Sequence, residues 1–117
     1  MSSITTHVLD LARGRPAPGI RVRLERRDLE KSAAAWLPVG ADITDPEGRA
    51  RDLVPKAGTI LPGTYRLVFA TGAYFRAAGI ATFYPEVIVS FEIADATGRY
   101  HLPLLLSPFG YSTYRGS

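Results

Sequence analysis

Short stretches in which apolar and polar residues alternate one by one constrain this chain more than any other feature. Ile20-Arg21-Val22-Arg23-Leu24 puts three apolar side chains on one face and two arginines on the other. A helix would scatter that pattern around its circumference, whereas a strand sorts it into a buried and a wet face. The same period predicts strands over 4–11, 20–27, 34–43 (with Trp36 as a large core or interface anchor), 63–71, 86–93, 99–106 and 110–115, and a short one starting at Arg49. Gly and Pro punctuate them. Residues 13–19 read as a loop, and Asp45-Pro46-Glu47-Gly48 carries the residues of a type I turn at its first, second and fourth positions. Only Thr71 to Gly79 departs from the period. It is Ala-rich, opens near a threonine cap and stops at a glycine, which predicts one short helix over 72–78. Seven or eight strands with a single helix predict an all-β sandwich, since a parallel α/β sheet needs several crossover helices.

Length and composition narrow the function classes. A chain of 117 residues with 46% hydrophobic and 21% charged residues is one domain, 1–117, able to bury a real core. With no cysteine there is no disulfide, thiolate metal cage or cysteine nucleophile. The net charge of +3 comes almost wholly from arginine, Lys31 and Lys56 being the only lysines. Arg21 and Arg23 belong to the wet face of a strand and the rest are dispersed, so no nucleic-acid partner is expected. No stretch has the length or hydropathy of a membrane span. Met1-Ser2-Ser3-Ile4 lacks the basic and apolar regions of a secretion signal, and the retained Met1 argues against a removed leader. The expectation is a cytoplasmic protein without a membrane partner.

Few residues can carry chemistry. His7 and His101 are the only histidines, and imidazole is the side chain whose proton moves near neutral pH. A lone strand histidine reads first as a hydrogen-bonded strand residue. Here His7 stands in a polar run with Thr5, Thr6 and Asp10, and His101 heads an apolar run that continues almost to Ser117. Arg49 leaves a tight turn at a strand start, where its guanidinium suits a planar anionic or carbonyl-rich ligand; a plain surface arginine fits the position equally well. No Gly-x-Ser-x-Gly elbow or glycine-rich phosphate loop occurs, and Ser107 and Ser112 lack elbow surroundings. No His-x-His or His-Glu-x-x-His spacing supports a metal.

Several segments together carry a resemblance. They are Thr6-His7-Val8-Leu9-Asp10 with Gly14-x-Pro16-Ala17, then Thr44-Asp45-Pro46-Glu47-Gly48-Arg49, then Phe83-Tyr84-Pro85-Glu86. The last is Tyr100-His101-Leu102-Pro103-Leu104-Leu105-Leu106-Ser107-Pro108 through Tyr114-Arg115-Gly116-Ser117. Over its whole length the chain resembles the transthyretin-related 5-hydroxyisourate hydrolases of purine catabolism. The closing Tyr-Arg-Gly-Ser is similar to the enzymes and not to the hormone-carrying transthyretins. Glu47 stands where that family commonly has Asp, a turn position expected to matter little to Arg49.

The resemblance implies a transthyretin-like β-sandwich of two four-stranded sheets with one short helix. It implies a homotetramer, a dimer of dimers with active sites in a cleft between dimers, and neither metal nor organic cofactor. The implied reaction is the hydrolytic opening of 5-hydroxyisourate to 2-oxo-4-hydroxy-4-carboxy-5-ureidoimidazoline, between urate and allantoin. His7, Arg49, His101 and Ser117 are the implied catalytic residues. His7, Arg49, Tyr114, Arg115 and Gly116 are implied to bind substrate. Which histidine is the base stays open, as does whether Ser117 acts through its hydroxyl or a terminal carboxylate. A small-ligand carrier using the same cleft without chemistry is the alternative, and a structural sandwich module is a third reading.

Overall fold

The computed structural model describes residues 3–28, 30, 35–56 and 58–117. In chain order the elements are β1 (Ser3–Asp10), β2 (Arg15–Pro16), β3 (Arg21–Arg27), β4 (Trp36–Ile43), β5 (Arg49–Ala50) and β6 (Gly63–Phe69). Helix α1 (Thr71–Ala77), β7 (Val87–Ile93), β8 (Arg99–Ser107) and β9 (Gly110–Thr113) follow. They form two sheets. One runs β4-β3-β6-β7; the other runs β2-β1-β8-β9, with β5 also paired to β1. This is the expected sandwich, with one refinement. The strands β2 and β5 are two residues each and share the free edge of β1, opposite Leu9–Asp10 and Thr6–His7. The stretch read from its glycines and prolines as pure loop therefore touches β1 at Arg15 and Pro16. The start of the expected 34–43 strand, Ala34, lies outside the described residues.

Alternation decides which faces meet. In β1 every second residue, Ile4, Thr6, Val8 and Asp10, is buried. In β8 the inward set is Tyr100, Leu102, Leu104 and Leu106, and in β6 it is Tyr65, Leu67 and Phe69. With Val22, Leu24 and Ile93 these fill the space between the sheets, each large side chain contributing about 1.5–3 kcal/mol on burial. Arg21 and Arg23 lie on the wet face, as the period predicts. Trp36 is not a core residue. It sits half-buried on the outer surface, under the Arg66 guanidinium 4.2 Å from its ring centroid. Arg66 is held there by Glu25, whose carboxylate accepts its Nε–H at 2.7 Å.

Helix α1 begins one residue earlier than expected, and its threonine does not cap it. Thr71 is its first helical residue, Ala70 takes the cap position, and the buried Thr71 hydroxyl has no hydrogen-bond partner among the described residues. The Gly72 amide donates instead to the Pro85 carbonyl at 3.0 Å, where a Cβ would come within 2.4 Å of that oxygen. The glycine stop is real: Gly79 has φ +70°, and the Ile80 amide donates back to the Phe75 carbonyl at 2.9 Å.

The buried polar residues of β1 serve the frame. The Thr6 hydroxyl donates to the Leu102 carbonyl at 2.6 Å and so locks β1 onto β8. Asp10 accepts from the Ala12 and Arg13 amides and, at 2.7 Å, from the Tyr74 hydroxyl, so it organises the following turn and the helix together. Desolvation first, then Asp10, push the Tyr74 hydroxyl up to about 12.

Candidate active site

The outward face of β1 is the place to look, because the buried residues leave Ser3, Thr5, His7 and Leu9 on the other side of the strand. β8 pairs with β1 in parallel, setting Ser3 against Arg99, Thr5 against His101 and His7 against Pro103. β5 pairs antiparallel on the other edge, setting His7 against Arg49. Directly paired residues point to the same face, so three strands far apart in sequence deliver Arg49, His7, Thr5 and His101 to one patch. The two histidines are diagonal neighbours on it, on the order of 7–8 Å apart at the backbone.

Each polar ring is held by a specific contact. His7 Nε2 lies 2.8 Å from the Glu47 carbonyl oxygen. A carbonyl only accepts, so Nε2 carries the proton and Nδ1 is the free nitrogen of the neutral ring. His101 Nδ1 lies 2.8 Å from the Thr5 hydroxyl, which leaves Nε2 as the free nitrogen. Burial holds His101 below the ordinary imidazole value, and the positive charge of Arg49 acts the same way. A hydrogen bond with the Thr5 backbone works against them. His101 is therefore kept in its neutral, proton-accepting form at pH 7.

The turn read as type I is what aims Arg49. The Gly48 amide donates to the Asp45 carbonyl at 2.8 Å, and the Asp45 carboxylate accepts from the Glu47 and Arg49 amides, both at 2.9 Å. The Arg49 amide is the main reason that Asp45 is held below its usual carboxylate range. Gly48 has φ +79°, and a Cβ there would meet the Val8 carbonyl oxygen at 2.4 Å. Glycine is thus required both by its conformation and by the closeness of β1. Glu47 contacts His7 through its main chain while its side chain is exposed, so an Asp or a Glu there leaves the same bond.

The tail closes the patch. After β9 the chain returns alongside β8, where the Gly116 amide donates to the His101 carbonyl at 2.7 Å in a single antiparallel bridge. A Cβ at Gly116 would stand 2.6 Å from His101 Cδ2, so only glycine lets the tail lie flat on that ring. Thr5, Arg49, His101 and Ser117 line a groove of about 410 Å³, with Arg51 and Arg99 at its sides. The structure divides the tail at this point. Tyr114 and Arg115 line a second, smaller depression of about 230 Å³ beside Val89 and Phe91, which His101 also reaches. Arg115 places its guanidinium 4.8 Å from the Tyr100 ring centroid. Among the described residues no cluster of three or more metal-ligating side chains occurs, and no helix is long and apolar enough to cross a membrane.

Residue types alone did not single out Thr5, Arg51 and Arg99. Period two could have found them, since Thr5 shares a face with His7, Arg51 stands two residues after Arg49, and Arg99 two before His101.

A two-sheet sandwich with one short helix and a histidine–arginine patch on its outer face defines a transthyretin-like protein with the equipment for acid–base chemistry. The sequence profile of the HIUase/Transthyretin family matches residues 4–116, and the chain belongs to that family. A 5-hydroxyisourate hydrolase from Mus musculus is 46% identical over 116 residues, covering 99% of this chain and 96% of its own. One from Salmonella dublin is 44% identical over 114 residues, covering 97% and 80%. Among solved structures, Klebsiella pneumoniae 5-hydroxyisourate hydrolase matches with a TM-score of 0.83 at 34% identity, over 100% of both chains. Transthyretin from Sparus aurata matches with a TM-score of 0.86 at 28% identity, over 97% and 95%.

Proposed function

We propose that this chain is a hydrolase that opens the ring of 5-hydroxyisourate, using the outer face of β1, β5 and β8. The observation that carries this reading is the convergence of Arg49, His7 and the Thr5–His101 pair on one face. Relatives named for the same hydrolase, 44% to 46% identical over nearly the whole chain, support it.

In the proposed mechanism His101 is the base. Its Nδ1–H donates to the Thr5 hydroxyl, and its free Nε2 takes a proton from water as the water oxygen bonds to the amide carbon of the ring. Negative charge gathers on the former carbonyl oxygen, where the Arg49 guanidinium offsets it. The carbon–nitrogen bond then breaks, and the imidazolium returns the proton to the departing nitrogen. The products of the opened amide are a carboxylate and a ureido group. His7, fixed by Glu47, presents Nδ1 as an acceptor that orients the water or the substrate N–H. Ser117 adds a hydroxyl at the groove, and Gly116 permits the tail to reach it. No step needs a cofactor.

The chain acts in this reading as a homotetramer, a dimer of dimers, with the groove facing a cleft between dimers. The edge strands β7 and β9 support self-association, since they leave Ile88 and Tyr111 exposed on unpaired edges. Sedimentation checks this: a tetramer agrees, and a monomer at micromolar concentration contradicts it. A carrier would use the same face without chemistry. Two histidines, each engaged through one ring nitrogen and leaving the other available beside a guanidinium, favour catalysis.

Turnover tests the assignment. Freshly generated 5-hydroxyisourate, which also decays unaided, is followed with wild type and with Arg49→Ala. Wild type accelerates the decay, and Arg49→Ala loses about 10²–10³-fold. A wild type no faster than buffer sinks the proposal.

A further inference from the structure

The groove holds more positive charge than the proposed chemistry uses. Besides Arg49 it is lined by Arg51 and Arg99, and neither of these makes an ion pair among the described residues. Their positions follow from the fold. Arg51 comes two residues after Arg49, just past the end of β5, and lines the same groove as Thr5. Arg99 pairs with Ser3, one repeat before His101. Both are exposed, and Arg99 is paired at the Ser3 end of β1 while Arg49 is paired at His7.

We infer that Arg51 and Arg99 form an anion-binding subsite at the mouth of the groove, distinct from the catalytic guanidinium, which draws in planar anionic ligands. The inference rests on the hydrolase reading for the identity of that ligand, a ring of the urate type with delocalised negative charge. Guanidinium groups at 51 and 99 flank the approach to His101 with one sign of charge, and a cleft lined by one sign raises the local concentration of the opposite one. Rim charges act mainly on association and on its salt dependence. The pair is thus a specificity device that sets how well substrate is captured, and the step after capture belongs to His101 and Arg49.

The test compares wild type with Arg51→Gln/Arg99→Gln and with a reference, Arg21→Gln/Arg76→Gln. The reference removes the same two charges from exposed positions outside the groove. In low salt the subsite variant loses about tenfold in kcat/KM through a raised KM, while the reference stays within about twofold of wild type. Raising ionic strength to ~0.5 M screens the charges and closes the gap. Its pH profile keeps the wild-type acid limb. Competition by inorganic phosphate, the probe anion, weakens several-fold in the subsite variant alone. Equal KM, salt slope and phosphate inhibition in all three proteins overturn the subsite. A fall in the reference as large as in the subsite variant overturns it too, because net charge then suffices. A wild type that does not accelerate decay sinks the hydrolase reading instead. In that event phosphate binding measured by calorimetry on the same proteins still decides the subsite.

Discussion

His101 illustrates how a residue of ordinary chemistry acquires a poise. Its Nδ1 is engaged by the Thr5 hydroxyl at 2.8 Å, and its proton affinity is lowered by burial and by the charge of Arg49. The sign has two consequences. Because the folded-state value lies below the ordinary 6.5, the folded protein binds fewer protons than the unfolded chain just below that pH. Stability therefore declines as pH falls from 6.5 towards the folded value, and the base form persists into the same range. Replacing Arg49 by Gln removes that depressing charge, so the His101 titration moves up towards 6.5. An NMR titration of the ring protons checks this without reference to activity, and an unmoved His101 in Arg49→Gln contradicts it. Thr5 is a positioning residue by the same contact. Thr5→Val loses about tenfold in kcat and alters the pH profile, whereas Thr5→Ser keeps the hydroxyl and restores both. A structural role alone would not separate Val from Ser in this way. Gly116→Ala retains the fold and loses activity, because the added methyl displaces either the tail or the ring of His101.

At the scale of the element, the turn 45–48 shows what was legible in the sequence and what was not. Asp, Pro and Gly at their positions announced the turn, and it is present with the amide of Gly48 on the carbonyl of Asp45. That β1 lies directly behind Gly48 could not be read, because the contact joins residues forty apart. Gly48→Ala puts a side chain into a left-handed conformation and against Val8, costing about 1–3 kcal/mol and several degrees in Tm; thermal unfolding reads it. Asp45 supports the turn as a carboxylate. Its contribution is present above its ordinary 3.8 and is lost as pH falls through its lower folded value. The helix shows the opposite case. Ala-rich composition and Gly79 placed it correctly, but Thr71 was misread as a cap because the tertiary contact from Gly72 to Pro85 set the helix start. Of the two places expected for Trp36, core or interface, the structure excludes the core. Size suggests burial, but its ring lies half-buried against the Arg66 guanidinium, which Glu25 holds in place.

For the whole molecule, alternation carried almost all of the architecture, since each strand's buried face can be read locally. Pairing could not be. The parallel match of β1 with β8 joins the two ends of the chain, and it is this match that brings Thr5 to His101 and Ser3 to Arg99. The candidate site's residues were named through resemblance, and their arrangement on one face follows only from that register. The resemblance implied that Tyr114, Arg115 and Gly116 bind substrate and that Ser117 is catalytic. In the structure Ser117 lines the groove, Gly116 bridges to His101, and Tyr114 and Arg115 lie towards β7. The most direct measurement is the decay of freshly generated 5-hydroxyisourate with equal concentrations of wild type, His7→Ala and His101→Ala. Catalysis by this face predicts that wild type accelerates decay and that His101→Ala loses about 10²–10⁴-fold, with His7→Ala also impaired. Decay at the buffer rate with wild type, or a wild-type rate retained in His101→Ala, contradicts it.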